Sequence, residues 1–134
     1  MAKNVKSYFE HHAHSYSDRH IQFYSKIANY ITDIMRARKK GQDSRNIYID
    51  YNKNRIIKVL DVGCGNGSFI KAFIEAEQKK STNTHNNDYY FLATDVSFEM
   101  IKLAKGNLKS STDYDKSIEL FVSHAFNLPI QLNA

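Results

Sequence analysis

The chain has 134 residues, room for one hydrophobic core but not two. With 42% apolar and 25% charged residues it has an ordinary globular composition, which excludes disordered, collagen-like and coiled-coil classes. Its net charge of +5 belongs to the first 58 residues, where 12 Lys and Arg face 5 Asp and Glu; the remainder holds 7 against 9.

Over residues 18–40 the apolar side chains Ile21, Tyr24, Ile27, Ala28, Ile31, Ile34 and Met35 recur at spacings of three and four, which predicts an amphipathic helix. Ser17 can cap its start and Gly41 its end. Arg36, Arg38, Lys39 and Lys40 form the densest basic cluster, read as a solvated helix end or as a surface for an acidic partner such as nucleic acid or anionic lipid. Residues 42–55 are polar and rich in Asn and Asp, a connecting loop around the short apolar patch Ile47, Tyr48 and Ile49. A β-branched run at 56–62 predicts a strand. It stops at Gly63, Gly65 and Gly67, and a helix carrying Phe69, Ile70, Phe73 and Ile74 follows. After a polar loop at 79–88, a second strand is expected over 89–94 with Asp95 at its end. Ser97 then caps a helix bearing Met100, Ile101, Ala104 and Leu108, weakened in its last turn by Gly106. A third strand over 117–123 leads into the sequence His124-Ala125-Phe126-Asn127-Leu128-Pro129.

Strands alternating with helices through short crossovers imply a parallel sheet. The expected architecture is a doubly wound α/β half. It divides into a helical lead-in with its loop, residues 1–55, and the α/β half itself, residues 56–134.

In the stretch DVGCGNGSF the three glycines occupy alternate positions at the carboxyl end of the first strand. Glycine there supplies unusual dihedrals and lets the main chain approach a ligand, while the following helix directs free amides at the same crevice. Asp95 ends the neighbouring strand on the same edge. An ionised carboxylate accepts hydrogen bonds without donating any, which suits the paired hydroxyls of a ribose. Together these features point to a cofactor containing a nucleoside.

The glycine turn, Asp95 followed by Val96-Ser97-x-x-Met100, and Ala125-x-x-Leu128-Pro129 resemble successive motifs of the class I S-adenosylmethionine-dependent methyltransferases, in their small-molecule type. The opening Tyr8-Phe9-x-x-x-Ala13-x-x-Tyr16 is similar to the lead-in of the same group. The resemblance implies S-adenosyl-L-methionine as cofactor and methyl transfer to a small molecule. It implies that Gly63, Cys64 and Gly65 line the methionine and ribose part, that Asp61 contacts the amino end, and that Asp95 binds the ribose hydroxyls. Val96 and Met100 would pack against adenine. The position before Ala125 usually carries an acid that receives the adenine amino group; here it is His124, whose neutral ring can accept one hydrogen bond. A nicotinamide dinucleotide is the rival cofactor, but its G-x-G-x-x-G fingerprint would place the third glycine where Ser68 stands. In-line methyl transfer needs alignment and exclusion of water more than a triad, so no catalytic residue is assigned.

His11, His12, His14 and His20 crowd the start of the chain without an acid or thiol at a familiar ligand spacing, so no metal site is expected. Cys64 is the only cysteine, which excludes an intrachain disulfide. No run approaches the ~18 apolar residues of a membrane span, and the opening MAKNVKSYFEHHAHS lacks the apolar centre of a secretory signal, so a cytoplasmic protein is expected. The family resemblance implies a seven-stranded sheet, of which this chain carries three strands. The expectation is the N-terminal part of a longer protein; the alternatives are an inactive binding module completed by a partner chain at the open sheet edge, and an RNA methyltransferase.

Overall fold

A computed structural model describes residues 7–8, 11, 16–39, 56–80, 89–109 and 117–129. Helix α1 spans Tyr16–Lys39, strand β1 Ile57–Val62, helix α2 Ser68–Lys80, strand β2 Tyr89–Asp95, helix α3 Phe98–Lys109 and strand β3 Ile118–Val122. All five elements expected from residue 56 onward are present. Helix α1 begins at Tyr16, which places Ser17 inside the helix and not at its cap. Gly41 and the patch at 47–49 lie outside the described residues, as do the side chains of Arg38, Lys39 and Lys40.

The strands are parallel in the order β1-β2-β3, with Val59 opposite Phe91 and Phe91 opposite Ile118. Because side chains alternate along a strand, Val59, Phe91, Ala93, Ile118 and Leu120 share one face. That face carries the core. Phe73 of α2 meets Tyr89 and Phe91 edge to face, with ring centroids 5.1 and 5.7 Å away. Ile101 and Leu108 of α3, and Ala28 of α1, belong to the same cluster. Both right-handed crossovers add their strand in the same direction, so α2 and α3 fall on the same side of the sheet. On the opposite face of β1, Leu60 and Val62 are 41% and 44% exposed. The second helix layer of a doubly wound sheet has no counterpart among the described residues.

Helix α1 lies along α2. The guanidinium of Arg36 pairs with the Glu77 carboxylate, Nε to Oε1 at 3.3 Å, and donates to the carbonyls of Lys80 at 2.8 Å and Glu77 at 3.3 Å. The last carbonyls of a helix have no partners of their own, so Arg36 closes the end of α2. Lys80 returns the connection through Nζ to Asp33 at 2.7 Å and to Thr32 Oγ1 at 2.8 Å. The one described side chain of the basic cluster is therefore occupied by the neighbouring helix. Among the described residues no helix is long and apolar enough to cross a membrane.

Candidate functional site

The chain leaves β1 into a turn built on three left-handed glycines, Gly63 at φ 79°, Gly65 at 55° and Gly67 at 79°. A side chain at such angles is strained, which explains the residue type at all three positions. The amides of Gly63 and Cys64 both donate to the Thr94 carbonyl, at 2.7 and 2.9 Å, and bind the turn to the end of β2. The glycines then diverge in role. A Cβ on Gly63 would meet nothing within 4 Å, whereas one on Gly67 would lie 3.0 Å from Leu108 Cδ1 and 3.3 Å from the Ala104 Cβ. Gly63 borders open space. Gly67 is the point where α3 packs against the turn, so its absent side chain serves helix packing and not ligand approach.

Asn66 is a residue that glycine spacing alone does not reveal. It is buried, and its Oδ1 accepts the Ser68 amide at 3.2 Å and the Ser68 hydroxyl at 2.6 Å. Its carbonyl accepts Asn107 Nδ2 at 3.0 Å. One side chain thus satisfies the first turn of α2 while the backbone beside it ties that turn to α3. The available signal was an Asn two residues before an amphipathic run.

Asp95 stands where the sequence placed it, beside the turn. Its Oδ2 accepts the Gly65 amide at 2.9 Å and its Oδ1 accepts the Ser97 amide at 2.9 Å. Each oxygen has two acceptor directions, so both retain one for a ligand. Ser97 caps α3 as expected, with its Oγ accepting the Met100 amide at 3.3 Å.

Asp61 projects from the same edge one strand away. Its Oδ2 is buried with no hydrogen-bond partner, and its pKa is pushed up to about 6, first by loss of hydration and then by the Asp95 charge. Two carboxylates thus converge on one rim. An unsatisfied buried acceptor beside a second anion favours a ligand that brings a positive charge or a donor.

The other expected site residues divide. Gly65 donates to Asp95 and Gly63 to the carbonyl of Thr94 just before it, and Val96 is half-buried. His124 and Ala125 are exposed after β3, on the rim shared with Asp95, whose carbonyl accepts the Ser123 amide at 3.0 Å. Met100 is 1% exposed, so its side chain lies in the interior and not on the crevice surface. Cys64 is buried in the core cluster, and burial together with Asp61 and Asp95 drives its thiol well above the ordinary range. That environment disfavours a thiolate. His12 and His14 lie outside the described residues, among which no three His, Cys, Asp or Glu side chains gather as metal ligands.

No family model and no curated protein matches the sequence. The fold does have relatives among solved structures. A candidate S-adenosyl-L-methionine-dependent methyltransferase from Methanococcus maripaludis superimposes with a TM-score of 0.60 at 17% identity, over 94% of this chain and 45% of that one. This protein has the fold of the class I methyltransferases. The carbon methyltransferase DszA agrees, with a TM-score of 0.52 at 15% identity over 79% of this chain and 23% of its own. The chain therefore spans less than half the length of either methyltransferase. In both β-sheet order and helix placement it corresponds to three strands of the Rossmann-like sheet.

Proposed function

We propose that this chain is the cofactor-binding portion of a methyltransferase that uses S-adenosyl-L-methionine and acts on a small molecule. The observation that carries this reading is the convergence on one rim of Asp95, the orphaned Oδ2 of Asp61 and the side-chain-free turn at Gly63 and Gly65. The cofactor is an α-amino acid, a sulfonium and a ribose in one molecule. Its ammonium and sulfonium charges match the two carboxylates, and its ribose hydroxyls match the free acceptor directions of Asp95. Its carboxylate suits the positive end of the α2 dipole, which faces the same crevice. When bound, the cofactor supplies an electrophilic methyl group; the residues named here bind and orient it and hold its charge.

Equilibrium binding of radiolabelled S-adenosylmethionine tests the reading. Saturable binding displaced by S-adenosylhomocysteine and indifferent to NAD supports it. Failure to bind, or equal displacement by NAD, contradicts it.

A second reading has a specific observation behind it. Among the described residues β1 is paired on one side only, and the exposed Leu60 and Val62 flank that open edge on the face without helices. A binding module completed there by a partner chain would show concentration-dependent sedimentation that the cofactor leaves unchanged. An RNA acceptor has less support, because Arg36 is engaged by Glu77 and the end of α2.

A further inference from the structure

His124 and Phe126 form a stacked aromatic pair on the rim of the crevice. Their ring centroids are 5.2 Å apart and the planes are inclined by 25°. Phe126 is 89% exposed, an unusual position for a large apolar ring. The preceding residue, Ser123, is tied by its amide to the Asp95 carbonyl, so the pair adjoins the carboxylate assigned to the ribose.

The turn between the two rings fixes the polarity of the imidazole. The Phe126 amide donates to His124 Nδ1 at 3.3 Å, the arrangement that an Asp side chain gives at a turn and that Asp95 gives to Ser97 in this molecule. A nitrogen that accepts a hydrogen bond carries no proton, so the ring proton of neutral His124 is on Nε2. A protonated imidazole carries a proton on Nε2 as well. In either state the outer nitrogen donates. A carboxylate at this place would keep the same turn through one oxygen and present an acceptor with the other. Histidine preserves the turn and inverts the polarity of what faces outward.

We infer that the His124 and Phe126 pair is a stacking platform for the purine of the bound nucleoside, and that Nε2–H of His124 selects the base by an acceptor on its edge and not by its amino group. This rests on the cofactor reading above. In adenine the acceptors are ring nitrogens. A 6-oxo purine carries a proton on N1 but keeps N7 as an acceptor and adds a carbonyl oxygen beside it, so a donor directed at the N7 edge is accommodated by both bases and this site tolerates exchange of the 6-amino group for oxygen. A site lined by a carboxylate rejects that exchange, because two acceptors would face each other.

The experiment compares S-adenosylhomocysteine with its 6-oxo analogue, S-inosylhomocysteine, by calorimetry on the protein and on its His124→Asp and Phe126→Ala variants. The unsubstituted protein should bind the two ligands within about threefold, and His124→Asp should prefer the adenosyl form by about tenfold or more. Phe126→Ala should weaken both by about tenfold, the loss of one stacking surface, without changing their ratio. Nitrogen-15 spectra of the imidazole should place the His124 proton on Nε2. Rejection of the inosyl ligand by the unsubstituted protein, an unchanged ratio in His124→Asp, or a proton on Nδ1 of a neutral ring would each overturn the inference alone. Binding of neither ligand would overturn the cofactor reading and this inference with it.

Discussion

The Gly65 amide and the Asp95 carboxylate are 2.9 Å apart, joined across 30 residues of sequence at the ends of adjacent parallel strands. This bond gives the glycine turn and the acid a common frame, so that a ligand held by one meets the other. It also means that Asp95 is already oriented before any ligand arrives, with Ser97 holding its second oxygen.

Substitution of Asp95 by Ala should weaken S-adenosylmethionine binding by ~1–3 kcal/mol, the range for losing hydrogen bonds to a charged acceptor. It also leaves the Gly65 amide without its partner. Calorimetry checks the prediction. Asp95→Asn should fall between, since an amide oxygen can still accept from Gly65.

Asp61 makes the stability and the binding of this protein respond to pH in opposite senses. Its pKa is about 6 in the folded chain, above the ordinary carboxylate value, so the folded state holds this proton more tightly than the unfolded state. Its contribution to stability is therefore present in acid and declines as pH rises from about 4 to about 6, by at most ~3 kcal/mol at 1.36 kcal/mol per unit. Over the same interval the carboxylate becomes charged, and affinity for a cationic cofactor should increase. Asp61→Asn should flatten both profiles, stabilise the protein at pH 7 and weaken binding. Urea titrations and calorimetry at pH 4.5, 5.5 and 7 measure the two effects separately.

Two glycines with the same φ should respond differently to alanine. Gly63→Ala costs ~1–2 kcal/mol for the left-handed conformation alone, because nothing lies within 4 Å of the new methyl. Gly67→Ala carries the same cost and forces a further ~1–2 kcal/mol of displacement at Leu108. Leu108→Ala should recover part of the second loss and none of the first, as a double-mutant cycle in denaturant would show.

Arg36→Ala should destabilise the chain more than Glu77→Gln does. Removing the cation leaves the Glu77 carboxylate, 8% exposed, without compensation and frees the end carbonyls of α2. Since Arg36 is itself about one-third exposed, a loss of ~1–3 kcal/mol is expected, below the range for fully buried pairs. Glu77→Gln keeps a polar partner and should cost ~1 kcal/mol or less. Thermal denaturation at low and high salt distinguishes the two.

Much of this arrangement was legible in the sequence because it depends on local patterns. The run from Ile57 to Val62, the glycines and the spacing of Phe69, Ile70, Phe73 and Ile74 specify strand, turn and helix without reference to the rest of the chain. Two strands entering parallel through short crossovers then put Asp95 beside the turn. Properties that depend on contacts distant in sequence were not legible. The pairing of Arg36 with Glu77 joins residues 41 apart, so a basic cluster that reads as a solvated surface contains a partly buried helix closure. Met100 follows a helix cap in the expected register, yet which way its side chain turns is decided by the packing of α3 on the sheet. Gly67 looks equivalent to Gly63 in sequence, and only the position of Leu108 separates them.

The most direct test of the account is a titration with S-adenosylhomocysteine followed by amide resonances of the labelled protein. Saturating shifts are expected at Gly63, Gly65, Asp95 and Ala125, with Glu77 and Lys80 at the far end of α2 unaffected. Shifts confined to other elements, or no shift at the Gly65 and Asp95 amides at saturating ligand, would contradict the assignment of this rim as the cofactor site.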